Sequence, residues 1–370
     1  MTLFILEIVS IFLFWPIYKF GIKIGNRTIK GEDIYIIIIF IEFFLTMSLR
    51  APSVGTDTKT YRLIYESIMN SDTYKLALKR SSIHSAPIYV GIQYVISRIT
   101  HFKQLSTIVN SLVICTGFFI FIKNNSKNKI MSIFLFVGLT MYFESMNGTR
   151  QFMAISIAIN AYELFKDDIK SLKGWGLFLI ALGIHNTISF FLLALIGIML
   201  KKTMKKNIDR AVVFSILLAT TVSIGFSTLI QIAIKLFPYF SIYLNGENAA
   251  QINISDSEGR IIILYIFLLI LIFICIGLLK NNKKDLDYID LFTCLLCSIM
   301  GIIFSKNFLV TRLLWPFICI YIVFLPSLIE QLEIKLNYLM QMITYFVILI
   351  YCVLNLIENK SGLIPYVIFK

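Results

Sequence analysis

Long apolar runs separated by short polar segments constrain the fold of this sequence more than any other feature. Most runs are about 17–22 residues long, which matches the ~30 Å hydrocarbon layer of a bilayer at a rise of 1.5 Å per residue. Backbone polar groups in lipid must be hydrogen-bonded within their own segment, so these runs must be helices. The alternating stretches of ~10 residues typical of a membrane β-barrel are absent from the sequence. The sequence therefore predicts an all-α, polytopic integral membrane protein.

The composition agrees with a membrane protein. Hydrophobic residues make up 58% of the 370 residues and charged residues only 15%, whereas soluble domains carry ~25% charged residues. The net charge of +13 alone would suit nucleic-acid binding. The lysines and arginines, however, lie between apolar runs and form no stripe with aromatic residues, which is typical of charges that set topology beside anionic headgroups. A nucleic-acid partner is therefore excluded.

The cysteines do not suggest a metal or redox site. All six lie inside apolar runs: Cys115, Cys275, Cys294, Cys297, Cys319 and Cys352. Cys294 and Cys297 have the spacing of metal ligands, but no second pair follows nearby. We expect small core residues, and neither a metal nor a cofactor. The first run lacks a basic leader and a cleavage site, so we expect it to remain as a span.

About twelve spans fit the apolar runs. They cover approximately 2–18, 33–49, 105–122, 130–146, 151–165, 174–187, 188–200, 211–235, 261–279, 288–304, 312–329 and 338–357. The stretch 174–200 is ambiguous, because it fits either two short helices turning near His185 or one long tilted helix. Only the first choice gives both halves of the chain the same sidedness.

Lysine and arginine favour cytoplasmic loops. One set of segments holds 19 of these residues: 17–32, 123–129, 166–173, 201–210, 280–287 and 330–337. The short segments of the opposite set hold 7. The first set is therefore predicted to be cytoplasmic, and both termini then face outward.

The predicted outer face carries two larger segments, 50–104 and 236–260. Within the first, residues 86–99 are apolar on one side and polar at Gln93, Ser97 and Arg98, which indicates an interfacial or re-entrant amphipathic helix. No internal repeat or low-complexity tract is present. We expect one transmembrane domain over residues 1–370.

The outer segment begins with a candidate site at residues 50–61 (RAPSVGTDTKTY). Asp57 could accept a proton from a hydroxyl nucleophile, or it could cap the helix that starts near Lys59. Both readings are open. Arg50 and Tyr61 flank this loop and are candidates for substrate binding.

Three outer arginines are candidates for binding an anion. Arg150, followed by Gln151, lies in a tight turn between two spans, and its planar fork of donors fits a phosphate. Arg260 and Arg312 each begin a span from outside. Each arginine could also anchor a helix by snorkelling to headgroups.

Two further polar residues interrupt apolar stretches. His185, beside Asn186 and Thr187, could act as a general base at an outer turn, or it could be a satisfied structural residue. Glu42 lies within the second span, where a carboxylate is a functional hypothesis by default. It could also pair with a buried arginine or be protonated. No nucleotide-binding or zinc motif is present, so we expect a substrate that is already activated.

Three of these segments together resemble one family. They are 54–61 (VGTDTKTY), 147–157 (NGTRQFMAISI) and 183–187 (GIHNT). In this order they resemble the EpsG family of bacterial polysaccharide-biosynthesis membrane proteins, which is similar to the Wzy O-antigen and capsule polymerases. The resemblance runs from about residue 30 to residues 365–369 (PYVIF). One departure is Ala86-Pro87, where the family often has Glu-Pro.

The resemblance implies a GT-C-like fold and a polymerase in the bacterial cytoplasmic membrane. The enzyme would join undecaprenyl-diphosphate-linked oligosaccharide repeat units at the outer face. Arg150 would then hold the diphosphate, helped by Arg260 or Arg312, and His185 or Asp57 would be the base. A single displacement would invert the anomeric centre without a metal. A chain-length regulator is a candidate partner.

Two other classes remain open at this point. A flippase for the same lipid-linked unit would place polar groups along a central cavity and often shows repeated halves. An O-antigen ligase would share the arginine chemistry and differ only in its acceptor. An acyltransferase acting on surface glycan is a more distant alternative.

Overall fold

The structure is a computed structural model of the chain. It describes residues 1–20, 22–24, 27–83, 85–204, 207–236, 258–279, 286–305 and 308–369. His84 and most of the predicted outer segment 236–260 lie outside the described residues. The chain divides into two compact units. Unit 1 is Met1–Ser189 with Gln341–Lys370, and unit 2 is Phe190–Met340.

Unit 1 is built from helices and one hairpin. In chain order the elements are α1 (Thr2–Leu13), α2 (Trp15–Lys19), β1 (Ile22–Ile24), β2 (Arg27–Ile29), α3 (Gly31–Leu49), α4 (Thr58–Met69), α5 (Tyr74–Arg80), α6 (Pro87–Ile99), α7 (Gln104–Asn125), α8 (Lys129–Gly138), α9 (Met141–Asn147), α10 (Thr149–Asp167) and α11 (Leu172–Ile184). Strands β1 and β2 pair antiparallel. A 3₁₀ helix, Asn186–Phe191, leads into unit 2.

Unit 2 is helical throughout its described part. Its elements are α12 (Leu192–Met199), α13 (Lys201–Met204), α14 (Ile208–Leu236), α15 (Glu258–Leu278), α16 (Tyr288–Ile303) and α17 (Phe308–Ile329). The last helix, α18 (Ile334–Glu358), starts in unit 2 and continues into unit 1. The all-α prediction is therefore confirmed apart from one short hairpin.

Several helices are long and apolar enough to cross a bilayer. Among the described residues six qualify: Thr2–Lys19, Gln104–Asn125, Ile208–Gly225, Gly259–Leu278, Thr311–Ile329 and Ile334–Glu358. Shorter apolar helices are Leu172–Ile184, Asn186–Met199 and Tyr288–Ile303. These helices support an integral membrane protein, whereas the count of twelve spans stays a prediction.

Two of the predicted stretches are interrupted in the structure: the first was predicted as one span, whereas the break in the second agrees with two helices turning near His185. The run 130–146 is not one helix, because α8 and α9 meet at a bend of 49°. Thr140 lies between them with a φ of 65°, in the left-handed region. The ambiguous stretch 174–200 is also interrupted, since His185 has an extended backbone that ends α11. One continuous helix through this stretch is therefore wrong.

Side-chain caps explain several helix starts. Thr73 accepts a hydrogen bond from the backbone N–H of Leu76, and Asn128 accepts one from Met131. Ser171 caps α11 in the same way, and Pro87 stands in the first turn of α6, where its missing N–H is harmless. These residues satisfy or avoid the orphan N–H groups of a first helical turn.

One end of unit 1 is held by two ion pairs, and we call it the first end. Lys123 contacts Asp33 at 2.6 Å, and Lys129 contacts Glu32. These pairs join the start of α3 to the end of α7 and the start of α8. The segments 17–32 and 123–129, both predicted to be cytoplasmic, therefore meet at the same end of the bundle.

In unit 2, α17 is the most enclosed helix among the described residues that qualify as spans, since 83% of its apolar window is buried. The Tyr321 hydroxyl on this helix donates to the Cys294 carbonyl at 2.5 Å. Gly301 on α16 lies against the ring of Tyr265, leaving no room for a side chain. All six cysteines are buried thiols, which agrees with their predicted role as small core residues.

Helix α6 has its polar side facing inward. Gln93 and Ser97 are buried, whereas Val95 is 58% and Ile99 73% exposed. This arrangement would be unfavourable in water, and it suits a helix whose outer face contacts lipid. The helix predicted over 86–99 is therefore found as α6, and Gln93 and Ser97 face the interior of the protein, whereas Arg98 is exposed.

Candidate functional site

The opposite end of α3 carries the loop that the sequence analysis singled out. Residues 50–57, the site loop, turn at Gly55, whose φ of 95° favours glycine. The Asn147 side-chain oxygen accepts hydrogen bonds from the Thr56 hydroxyl at 2.8 Å and from the Asp57 N–H at 2.9 Å. Two of the three predicted motifs, 54–61 and 147–157, are thereby joined. We call this the second end of unit 1.

The C-terminal tail, residues 359–369, packs on the site loop. The N–H of Gly55 donates to the Gly362 carbonyl at 2.8 Å, and that of Thr56 donates to Ser361 at 3.1 Å. Phe369 in turn donates to the Leu49 carbonyl at 2.7 Å. The tail therefore helps to fix the loop. This contact between tail and loop was not predicted from the sequence, because the tail carries no charged motif.

Arg50 was predicted to bind substrate, but its guanidinium is mainly engaged by the protein. The residue is only 2% exposed. Nη1 donates to the Met47 carbonyl, and Nη2 donates to the Met146 carbonyl and to Thr149 Oγ1, both at 3.1 Å. Only Nε lacks an acceptor. Arg50 therefore ties the end of α3 to the turn before α10.

Arg150 is the clearest candidate for contact with an anion. It is the second residue of α10, whose N-cap is Gly148, and the helix dipole favours negative charge at this end. Its Nε and Nη1 atoms are buried and have no hydrogen-bond partner in the part of the chain that the structure describes. Burial raises the pKa of the Tyr89 phenol while the Arg150 charge opposes this rise, so the two groups are neighbours. Two strong donors thus lie unused beside the site loop.

A cationic pocket opens at the same end. Its lining residues are Arg50, Thr58, Tyr61, Arg62, Tyr65, Lys103, Ser106, Thr107, Asn110 and Thr149. Free space within it amounts to about 20 Å³, roughly enough for one water molecule. Tyr61 was predicted as a site residue, whereas Arg62, Tyr65 and Lys103 were missed. The signal was present in the i, i+3, i+4, i+7 spacing of polar residues on α4, which places them on one helix face.

The inner face of α6 supports this pocket. Ser106 donates to the Gln93 side-chain oxygen at 2.6 Å, and the Gln93 amide donates to Asn110 at 2.8 Å. Asn110 in turn donates to the Tyr89 hydroxyl at 3.5 Å. All four residues are buried. A buried network of this kind fixes side-chain positions, so α6 orients the pocket lining.

Glu66 organises the cations at the pocket. Its Oε1 atom accepts from Lys103 Nζ at 2.7 Å and from Arg62 Nε at 3.3 Å. The hydrogen bond from Lys103 is the main cause that holds the pKa of Glu66 below its usual value. The pair is partly exposed, so its contribution to stability is small.

This lowered pKa predicts a pH dependence. The folded pKa of Glu66 lies below the unfolded value, so its ion pairs stabilise the protein above the unfolded pKa, ~4.3. That contribution, at most about 1 kcal/mol for an exposed pair, is lost as pH falls through the folded pKa. Glu66→Gln is expected to be less stable than wild type at pH 7, and the difference is expected to shrink as the pH falls below the unfolded pKa. Thermal unfolding of detergent-purified protein measures this, and a gap that does not shrink on acidification would contradict it.

The two candidate bases have different surroundings. Asp57 stands at the position before α4, but its side chain makes no capping hydrogen bond. His185 Nδ1 lies 2.8 Å from the Thr187 hydroxyl and accepts from the Thr187 N–H at 3.3 Å. The N–H contact makes Nδ1 an acceptor, so neutral His185 carries its proton on Nε2. Gly183, two residues earlier, packs against Ile88, which places this turn beside the start of α6.

The remaining predicted residues are placed as follows. Gln151 is buried on α10. Arg260 and Arg312 belong to unit 2, where Arg312 lies 5.2 Å from the Trp315 ring centre. Their help to Arg150 stays a prediction. Among the described residues no group of three or more His, Cys, Asp or Glu could hold a metal ion.

The intramembrane carboxylate Glu42 has a hydroxyl partner. Ser10 Oγ donates to Glu42 at 2.7 Å. The partner of Glu42 is therefore a neutral hydroxyl and not the arginine that was one of the alternatives. Nearby on α1, Glu7 is buried and accepts from the Tyr142 hydroxyl at 2.9 Å. A role for Glu7 was not predicted from the sequence, although this carboxylate stands in an otherwise apolar run. Both carboxylates serve contacts between the helices of unit 1.

Comparison with known proteins assigns the chain to a protein family. The model of the EpsG family matches residues 33–368, which include the site loop, Arg150, the cationic pocket and most of the C-terminal tail. Searches of curated proteins and of solved structures found no match. Because the family model covers nearly the whole chain, this protein belongs to the EpsG family.

Proposed function

We propose that this protein is a membrane glycosyltransferase that polymerises undecaprenyl-diphosphate-linked repeat units into O-antigen, capsule or exopolysaccharide. In this proposal the chain spans the bacterial cytoplasmic membrane about twelve times in a GT-C-like arrangement, and the second end of unit 1 faces outward. Family membership and the apolar helices support it. The observation that carries it is Arg150, whose Nε and Nη1 donors are buried and have no acceptor within the part of the chain that the structure describes.

Arg150 would stabilise the leaving group. In the reaction, the acceptor hydroxyl oxygen forms a bond to the anomeric carbon of the donor glycan. The bond from that carbon to the diphosphate oxygen breaks, and its electron pair leaves with the diphosphate. Donors fixed in a site of low dielectric stabilise such developing charge. A single displacement inverts the anomeric centre, and no step in this scheme needs a metal.

The hydroxyl proton must pass to a base, and we propose Asp57 ahead of His185. The Asp57 N–H and the hydroxyl of the preceding Thr56 both donate to the Asn147 side chain. Asn147 lies three positions before Arg150, so Asp57 is held close to the start of α10. The Nδ1 atom of His185 already accepts from the Thr187 N–H. A base must lie within hydrogen-bond reach of the proton it removes, and an ionised carboxylate such as that of Asp57 acts only as an acceptor, through two oxygens.

The direct test is a reaction of purified protein with defined lipid-linked repeat units in liposomes. The expected product is a ladder of lipid-linked oligomers, unchanged by a chelator. Intact repeat units appearing in the other leaflet without a ladder would instead identify a flippase. Transfer only to a different acceptor would identify a ligase. A ladder that disappears with chelator would overturn the metal-free scheme.

A further inference from the structure

The cationic pocket has hydrogen-bond donors that the protein does not use. Arg50 Nε, Arg62 Nη1 and the Tyr65 hydroxyl are buried and have no hydrogen-bond partner among the described residues, and all three side chains line the pocket. Buried donors are almost always satisfied in native proteins, and leaving one unsatisfied is destabilising. Three such donors around one cavity therefore indicate a missing acceptor.

One water molecule does not meet this need. The free space of about 20 Å³ holds roughly one water, and a water oxygen accepts two hydrogen bonds. An oxyanion has two or more oxygens, each of which accepts more than one. The number of donors thus favours one oxygen of a carboxylate or a phosphate in this space over a water molecule, with the rest of the group at the pocket opening.

The charge of the lining points the same way. Arg50, Arg62 and Lys103 bring three positive charges, and Glu66 offsets part of this charge through its contacts with Arg62 and Lys103. Arg50 lies almost completely buried, and none of its hydrogen bonds involves a carboxylate. A cation that is desolvated without a carboxylate partner favours a bound anion.

Two helix faces build the pocket with the same spacing. On α4 they are Thr58, Tyr61, Arg62 and Tyr65, and on α7 with its preceding residue they are Lys103, Ser106, Thr107 and Asn110. Each set follows i, i+3, i+4, i+7, so its members share one face. Hydroxyl, amide and aromatic groups surrounding cations suit an anionic group carried on a larger polar molecule.

We propose that the cationic pocket is an oxyanion-binding site, separate from Arg150, that recognises a carboxylate or phosphate group of the substrate through Arg50, Arg62 and Tyr65. Binding of an oxyanion does not depend on the proposed function. The identification of its source does. The source is either an acidic sugar of the repeat unit or the phosphate of a lipid carrier.

Thermal unfolding of the full chain in detergent tests this, because a ligand that binds the folded state raises the midpoint. The probes are sodium glucuronate, inorganic phosphate and a short-chain polyprenyl phosphate, with glucose and sodium chloride at matched ionic strength as controls. We expect at least one oxyanion to raise the midpoint in a saturable way, and neither control to do so. Selectivity for glucuronate assigns the acidic sugar, and selectivity for the phosphates assigns the carrier.

Variants separate binding from a structural role. Arg62→Gln and Tyr65→Phe are expected to weaken the apparent affinity at least ~10-fold, whereas Lys79→Gln, which removes an exposed cation on α5, leaves it unchanged. Without ligand, Tyr65→Phe is expected to match or exceed wild type in stability, since it removes an unsatisfied buried hydroxyl. A purely structural hydroxyl would give the opposite result.

The proposal is overturned if none of the three oxyanions stabilises the protein, if glucose acts equally well, or if both pocket variants respond like wild type. Arg150→Ala is expected to retain oxyanion binding in this pocket. A protein that binds the oxyanion yet forms no ladder with lipid-linked repeats would refute only the polymerase, so the two proposals can fail independently.

Discussion

Cells carrying Arg150→Ala are expected to make single-repeat products in place of the wild-type ladder. The variant removes two donors at the start of α10, Nε and Nη1, which have no hydrogen-bond partner among the described residues. Loss of a donor that stabilises developing negative charge lowers a rate by about 10²–10³. Polymerisation repeats this step many times, so the effect on chain length is severe. Gel analysis of the surface glycan measures it, with an immunoblot to confirm membrane insertion.

Two variants control for the charge and for general damage. Arg150→Lys keeps a positive charge but loses the planar fork, and it should give shortened chains. Lys79→Ala removes an exposed cation from the 50–104 segment and should give the wild-type ladder. Wild-type chain lengths in Arg150→Ala, at normal protein level, would contradict the proposed role of Arg150 and with it the argument for the polymerase.

The sequence predicts the helices well where one physical term dominates. Burying an apolar run in lipid outweighs local preferences, so runs such as 105–122 and 312–329 reappear as α7 and α17. The bend at Thr140 was not predictable, because a left-handed threonine persists only when tertiary packing holds it. The inward polar face of α6 was equally hidden, since its pattern shows two faces without telling which one contacts lipid.

The candidate site was predictable where a residue is out of place in its local context. Arg150 and the site loop stand out as polar groups at the ends of apolar runs. Arg62 and Tyr65, in contrast, resemble the ordinary surface of an amphipathic helix. Only the packing of α4 against its neighbours shows that Tyr65 is buried and that the Arg62 side chain is 20% exposed. The contact between the C-terminal tail and Gly55 joins residues about 300 positions apart and depends on backbone hydrogen bonds, which any sequence can form.

Arg50→Ala is expected to destabilise the protein strongly. The variant leaves a cavity and removes the donors that Arg50 gives to the Met47 and Met146 carbonyls and to Thr149. The Met146 carbonyl keeps a hydrogen bond from the Thr149 hydroxyl, whereas an unsatisfied buried acceptor such as the Met47 carbonyl costs about 1–3 kcal/mol. Truncation of a large buried side chain costs several more. We expect a loss of about 3–5 kcal/mol, because water and local relaxation recover part of the sum. Thermal unfolding in detergent and the level of protein in the membrane measure the loss.

Arg50→Met separates the volume of this side chain from its hydrogen bonds. Methionine fills most of the space but donates nothing, so its stability should lie between those of Arg50→Ala and wild type. Lys79→Ala, at an exposed position, should unfold like wild type. If Arg50→Met were as stable as wild type, the carbonyls of Met47 and Met146 would not need the guanidinium, and Arg50 would be retained for the oxyanion in the cationic pocket. If Arg50→Ala were fully stable, Arg50 would not connect α3 to α10.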